Sequence, residues 1–429
     1  MSELPTISLI VLNWNGREHL STCLESLSRL DYPRDRLELI VCDNGSTDGS
    51  ASYVRSSFPS FRLLELDRNY GFAVGNDRAA EAATGEWVGF LNNDMAVPPD
   101  WLRQLLAPLQ THPGVTCLAS RILNWDGSAI DFIGGGINFQ GHGLQIDNGA
   151  KRSVHDRARP VLFACGGAML VKRSVFLEVG GFDPLYFSLF EDVDLGWRLN
   201  LLGHDVWYTP EATVLHKHHA TLNRFTPQQL NMLTERNALF TIFKNYEQAN
   251  LDAVMPVALM LLNEKALSMA GVDKASYSPG AGAGNDHTEL VKPQPAPRLK
   301  NGNAAQKAVR ILRQEGWRQL AGKSARKGEG LLLGALRLQR RDQSPLSASL
   351  PELAVSHLVA ISEFAHNLAE LESRREWVQS RRKRSDEEVL GMEKVLLSDP
   401  SYGNAEYLEF QQWLSVISGI EARFKKVKL

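Results

Sequence analysis

From Ile7 to about Val214, short β-branched apolar runs alternate with stretches whose apolar residues recur at helical spacing. Residues 7–12 (ISLIVL) read as a buried strand, with a helix over 17–30 behind it. Residues 37–42 (LELIVC) read as a second strand, and the Asn/Asp/Gly/Ser-rich cluster 43–50 as the turn that caps the next helix. A third strand is expected over 61–66, a helix over 71–84 and a fourth strand over 87–91. Strands joined through helices cannot pair as hairpins, so this order predicts a mostly parallel, Rossmann-like sheet with helices on both faces. Ligands of such sheets sit beyond the carboxyl ends of the strands. Those ends read Asn13-Trp14-Asn15-Gly16, Asp43-Asn44-Gly45-Ser46 and Asn92-Asn93-Asp94, so three polar clusters converge on one sheet edge.

Beyond residue 119 the alternation loosens. Gly134-Gly135-Gly136 and Gly141-His142-Gly143 predict an irregular loop. Residues 163–171 predict a buried strand with a tight Gly pair, and 175–180 a short helix stopped by Gly180-Gly181. After Asn245 the text changes again. Residues 271–300 are rich in Gly, Pro, Ala and Ser and predict a linker. In 301–341 Lys and Arg far outnumber the acids. Residues 352–378 predict one amphipathic helix with a stripe of Leu353, Ile361, Phe364, Leu368 and Leu371. Arg374, Arg375, Arg381, Arg382, Lys383 and Arg384 follow it or end it. The expected division is an α/β domain over 1–247, a helix and linker over 248–300, and a mainly helical, basic region over 301–429. That last region reads as a packed appendage with solvated charges, as a basic surface for an anionic membrane, or as a contact with a second copy.

Composition narrows the class. The hydrophobic share is 43% and the charged share 22%, ordinary globular usage. With 47 basic and 49 acidic residues the net charge is −2, so no nucleic-acid partner is expected. No apolar run is long enough for a bilayer span, and the N-terminus carries no basic segment of a secretory signal. Cys23, Cys42, Cys117 and Cys165 form no C-x-x-C pair, and Cys42 and Cys165 read as small core residues. A reducing cytoplasmic setting follows as the expectation, with peripheral attachment at the inner face of the plasma membrane as its variant.

The chemistry-bearing residues gather at the strand ends. Asp94, after Asn92 and Asn93, is placed to bind a hard divalent cation and leave positions open for a diphosphate. Asp43 can accept the imide N–H of uracil or thymine, with Asn15 approaching the same nucleotide; Asp43 and Asp48 equally fit turn and cap roles. Arg68 offers a planar cation to phosphate. Asn69, Gly71 and Asn76 can shape the pocket, and Asn76 equally suits a helix residue bonded to nearby backbone. Glu191-Asp192 opens a helix whose N-terminus favours carboxylates, and one of the two can act as general base; Asp194 reads as a helix residue without chemistry. His216, His218 and His219 form the histidine cluster, and His216 at a strand end can complete a Mn²⁺ or Mg²⁺ shell or touch the diphosphate.

Taken together, the chain resembles a family 2 glycosyltransferase of the GT-A fold over about residues 7–246. The resemblance rests on 11–16 (VLNWNG), 41–50 (VCDNGSTDGS), 68–73 (RNYGFA), 91–94 (LNND), 180–183 (GGFD) and 191–195 (EDVDL). It is most similar to the rhamnosyltransferase-like branch that serves cell-surface polysaccharide assembly. The resemblance implies inverting transfer from a nucleoside diphosphate sugar, UDP- or dTDP-linked, to a saccharide or lipid-linked hydroxyl. It implies Asn13, Asn15, Asp43, Arg68, Asn76, Asn92 and Asn93 as the nucleotide-sugar set. It implies Asp192, with Glu191 before it, as the base, and Asp94 with His216 as the metal pair for Mn²⁺ or Mg²⁺. Asp94 matches the last carboxylate of the family's D-x-D, whereas Asn92 stands where that motif has its first and is a weaker ligand. Trp125, Phe132, Trp197 and Trp207 are candidates to stack on acceptor sugars, and equally ordinary core material. A sugar nucleotidyltransferase would want a Gly-rich basic loop after the first strand, which 13–17 (NWNGR) is not. A non-catalytic nucleotide-sugar module would have no use for Asp94 and Glu191-Asp192 together.

Overall fold

The computed structural model describes residues 4–154, 156–217, 225–273, 351–391 and 405–423. Strands β1 (Ile7–Asn13), β2 (Leu37–Asp43), β3 (Arg62–Glu65) and β4 (Trp87–Asn92) pair in parallel in the order β3-β2-β1-β4. They are linked through helices α1 (Arg17–Ser28), α2 (Ser50–Ser57) and α3 (Gly71–Ala82). The chain steps from β1 to β2 to β3 in one direction and then returns across the sheet to β4. Because such crossovers are right-handed, α1 and α2 lie on one face and α3 on the other. The reversal makes the β1/β4 boundary the switch point where a crevice opens at the carboxyl ends. Residues buried on both faces of β1 and β4 explain their uninterrupted apolar text.

The sheet continues through β5 (Met95–Ala96), β6 (Val115–Asn124) and β7 (Ile130–Phe132), with helix α4 (Trp101–Leu106) after β5; β8 (Gly135–Ile137) and β9 (Gly143–Gln145) form a separate two-stranded sheet. After β10 (Arg159–Pro160), strand β11 (Ala168–Lys172) inserts antiparallel between β4 and β6. Helices α5 (Arg173–Glu178) and α6 (Glu191–Leu201) precede β12 (Asp205–His216), which runs parallel to β6. The sheet is therefore mostly parallel with an antiparallel insertion. The strand expected over 163–171 begins only at Ala168. Residues 163–167 leave the ladder because the Gly166 amide donates instead to the Asp192 carboxylate, 2.9 Å away.

Two long helices close the domain, α7 (Pro227–Asn245) and α8 (Gln248–Met269). The helix expected over 352–378 is two helices, α9 (Glu352–His366) and α10 (Leu368–Arg381), broken at Asn367. Of the expected stripe, Phe364 and Leu371 are buried whereas Leu353 is exposed. Helix α9 packs on both α7 and α8, and Phe364 meets Phe240 and Phe243 edge-on or tilted. Short helix α11 (Asp386–Leu390), α12 (Ala405–Ile417) and a last helical turn, Ile420–Arg423, complete the described region. The basic cluster faces inward more than outward. Arg375 donates to the carbonyls of Phe243 and Tyr246, Arg382 to Asn245 O and Asp386, and Arg384 to Asp205. Arg375 and Arg382 satisfy carbonyls left open at the C-terminus of α7. The basic run 301–341, and the linker beyond residue 273, lie outside the described residues. Among the described residues no helix is long and apolar enough to cross a membrane.

Candidate active site

A cleft of about 760 Å³ opens at the carboxyl ends of β1 and β4, and its walls include Asn92, Asn93, Asp94, Glu191, Asp192 and His216. Not every residue expected there reaches it. Asn13 is buried and cross-links the strand ends: its Nδ2 donates to Asp43 Oδ1 (3.3 Å) and Ser46 Oγ (3.2 Å), and its Oδ1 accepts from Asn93 Nδ2 (2.8 Å). Asp43 is buried behind that link, its second oxygen accepting the Ser46 amide at 2.9 Å. Asn15 accepts the Thr47 amide at 2.7 Å, and Asp48 accepts the amides of Arg17 and Ser50. These four hold one turn against another and do not line the cleft. Arg68 is exposed, its guanidinium 4.7 Å from the centre of the Tyr70 ring. Asn76 donates to Phe72 O within α3. Asn44, in contrast, lines the cleft and ties Asn69 and Gly71 to it through two 3.0 Å bonds.

Asp94 and His216 do meet. His216 Nε2 lies 3.4 Å from Asp94 Oδ2, while its Nδ1 lies 2.6 Å from Asp131 Oδ2. Burial by itself would raise the Asp94 carboxyl and lower the imidazole. The contacts reverse both: Asp94 is held below the ordinary carboxylate value, and His216 is pushed up to about 9 by Asp131 and Asp94. Asp131, on β7, is a partner of His216 that the sequence does not single out. The one local signal is an acid between Ile130 and Phe132 inside an apolar run. His218 and His219 lie outside the described residues. Among the described residues no three His, Cys, Asp or Glu side chains form a ready metal cage. A hard cation that draws most ligands from a diphosphate and water fits Asp94, and fits His216 once its Nε2 has given up its proton, with Asp131 orienting the imidazole from behind.

Glu191 and Asp192 start α6 and enter the cleft from the side of β11. Glu191 is buried and its Oε2 has no hydrogen-bond partner. Burial, then the neighbouring Asp192 charge, raise its carboxyl well above the ordinary range. Burial also raises Asp192, against the amides of Gly166 (2.9 Å) and Val193 (2.8 Å) that favour its ionised form. Asp194 sits in the core with Arg198 (2.8 Å) and Lys244 (2.8 Å). The pair is delivered by a strained loop: Phe187, Leu189 and Phe190 have φ of 62°, 72° and 65°. Bulky residues rarely adopt that left-handed region.

Of the aromatic candidates, only Phe132 lines the cleft. Trp197 is core, edge-on to Tyr246; Trp207 stacks 4.2 Å from His112; Trp125 is exposed, with Lys217 Nζ 4.6 Å above its ring. The walls are instead completed by Trp14, Phe187, Phe190, Gln145 and Asn148. Cys165, expected in the core, is half-buried in the cleft wall because its segment is loop rather than strand.

Residues 8–180 match the family model described as Glycosyl transferase family 2. The chain is 31% identical over 239 residues to the N-acetylglucosaminyl-diphospho-decaprenol L-rhamnosyltransferase of Mycobacterium tuberculosis, across 50% of this chain and 77% of that protein. It is 29% identical over 227 residues to the O-antigen biosynthesis protein RfbC of Myxococcus xanthus, across 51% of this chain and 18% of that one. Among solved structures, GalNAc-T7 with UDP, GalNAc and Mn²⁺ aligns at a TM-score of 0.48 and 16% identity, covering 60% of this chain and 52% of that one.

Proposed function

The chain belongs to glycosyl transferase family 2, and from that premise we propose that it moves a sugar, with inversion, from a UDP- or dTDP-linked donor to a hydroxyl of a saccharide or lipid-linked acceptor. The observation that carries this reading is that Asp94 and Glu191-Asp192, far apart along the chain, line one cleft. Asp192 takes the proton of the acceptor hydroxyl as its oxygen bonds to the anomeric carbon. The bond to the diphosphate breaks on the opposite face, which inverts that carbon, and the nucleoside diphosphate leaves. Glu191 stays protonated beside it, so the base does not face a second charge. Asp94 and His216 would hold a divalent cation, Mn²⁺ or Mg²⁺, whose charge offsets that of the departing diphosphate. Asp43 keeps its nucleotide-base role in this reading through the acceptor sites that Ser46 and Asn13 leave open on its oxygens.

The mycobacterial relative is named for rhamnosyl transfer to a lipid-diphosphate-linked N-acetylglucosamine. That supports a dTDP-rhamnose-type donor and a lipid-linked saccharide acceptor, and hence work beside a membrane. The described arginines of 374–384 take little part in such docking, since several are bonded within the protein. A panel of UDP- and dTDP-sugars, incubated with and without saccharide and polyprenyl-diphosphate acceptors and read by mass spectrometry, tests the proposal. The expected result is nucleoside diphosphate release from one donor class, with a glycosylated acceptor. Pyrophosphate release from a nucleoside triphosphate and a sugar phosphate would replace it with the nucleotidyltransferase reading.

A further inference from the structure

The loop that carries the base is held by a residue of the fold's closing helix. Asn237, on α7, is completely buried. Its Nδ2 reaches three carbonyls of the loop: Leu189 O at 2.7 Å, Ser188 O at 2.9 Å and Tyr186 O at 3.2 Å. Its own Oδ1 accepts from the Arg236 guanidinium, which also donates to Leu185 O and Tyr186 O. From the other side the amide of Phe72, at the start of α3, donates to Phe187 O at 2.6 Å. Every carbonyl from Leu185 to Leu189 is therefore engaged, and α7 supplies a donor to each except that of Phe187. The close approach of Gly71 to Phe187 O leaves no room there for a side chain.

This grip bears directly on the catalytic pair. The positive-φ residues Phe187, Leu189 and Phe190 end at Glu191 and Asp192. A bulky residue keeps such backbone angles only while its surroundings impose them. Without the Asn237 amide the carbonyls of Ser188 and Leu189 lose this side-chain donor, and the chain can relax toward ordinary angles. Relaxation there shifts the start of α6 and with it the Asp192 carboxylate.

We propose that Asn237 is a positioning residue for sugar transfer, acting through the 186–190 loop to hold Glu191 and Asp192 at the reacting centre. The proposal rests on the general-base reading of Asp192. It is tested in the full chain with Asn237→Ala, and with Phe243→Leu as a packing control on the same helix, its ring against Phe364 rather than the loop. Asn237→Ser, which keeps one donor, stands in should the alanine protein not fold. The expected result is a kcat lower by about 10–100-fold with donor KM within about threefold, the signature of a misplaced group rather than lost binding. Amide hydrogen exchange should speed up over 186–192 and not across the sheet. Phe243→Leu should lower the melting temperature at least as much while kcat stays within about twofold. Wild-type exchange over 186–192 in Asn237→Ala, or a kcat loss shared by Phe243→Leu, overturns the proposal. Full turnover in Asp192→Asn would instead remove the base, a failure that the exchange measurement does not share.

Discussion

At the scale of single residues, the site turns on two adjacent carboxyls with different surroundings. Glu191 is buried with an unpartnered oxygen, and burial pushes its carboxyl well up; Asp192 receives two backbone amides, which favour its ionised form. On the proposed reading, replacing Asp192 with Asn keeps the shape and removes the base. Donor binding, read by isothermal titration, should survive, while transfer falls by about 10²–10⁴-fold. Because burial raises the Asp192 carboxyl, the rate should decline on the acid side from a pH above the usual aspartate value: below its raised pKa the group is protonated and cannot take a proton. The sequence put Asp94 and His216 forward by strand-end position, and Glu191 and Asp192 by their place at the start of a helix. It was silent on Asp131, because nothing local marks a carboxylate whose partner, His216, lies 85 positions away.

At the scale of elements, the chain stores strain where function needs a fixed geometry. Each left-handed bulky residue of 187–190 costs about 1–3 kcal/mol, offset by the bonds from α7 and α3. The adjoining Gly180-Gly181 turn shows the same coupling. Gly181 has a φ of 62°, and a Cβ there would lie 2.6 Å from Asp77 Oδ1 on α3. Asp77 accepts the Phe182 amide at 2.9 Å, yet burial pushes its carboxyl up to about 7. A raised folded pKa contributes stability that is fully present below the unfolded value, near 3.8, and is lost as pH rises through about 7. Asp77→Asn keeps the acceptor without ionising. It should match wild type in urea unfolding near the acid end of that window and exceed it by about 1–3 kcal/mol at pH 8. The Gly pair was legible as a helix stop; that it also clears space for α3 was not.

At the scale of the molecule, a buried ionic network joins the α/β core to the C-terminal helices. Glu235 on α7 meets His142 (2.8 Å) before β9, Lys265 (3.0 Å) on α8 and His357 (3.5 Å) on α9. Burial would raise Glu235, but His142, Lys265 and His357 around it hold it well below the usual range. A depressed folded pKa means stability present above the unfolded value and lost as pH falls. Glu235→Gln takes the carboxylate away from the buried Lys265 ammonium and should cost about 3–5 kcal/mol in chemical denaturation at neutral pH. Intact stability in that variant would show that the network is not what binds α9 to the core. Helices α9 and α10 are thus packed against α7, the helix that grips the loop before α6.

The alternation of apolar runs and turn residues was enough to specify strands β1 to β4, their helices and the polar strand ends, because periodicity and turn chemistry are local properties of the chain. The direction of β11 could not be read that way, since an apolar strand has the same text in either orientation. Nor could the fate of Asn13, Asp43 and Asn76, whose side chains proved to bond their own scaffold. Which carboxyl ionises, which arginine is bonded and what holds a strained loop depend on desolvation and on partners brought from far along the chain, and those arise only when the fold has closed.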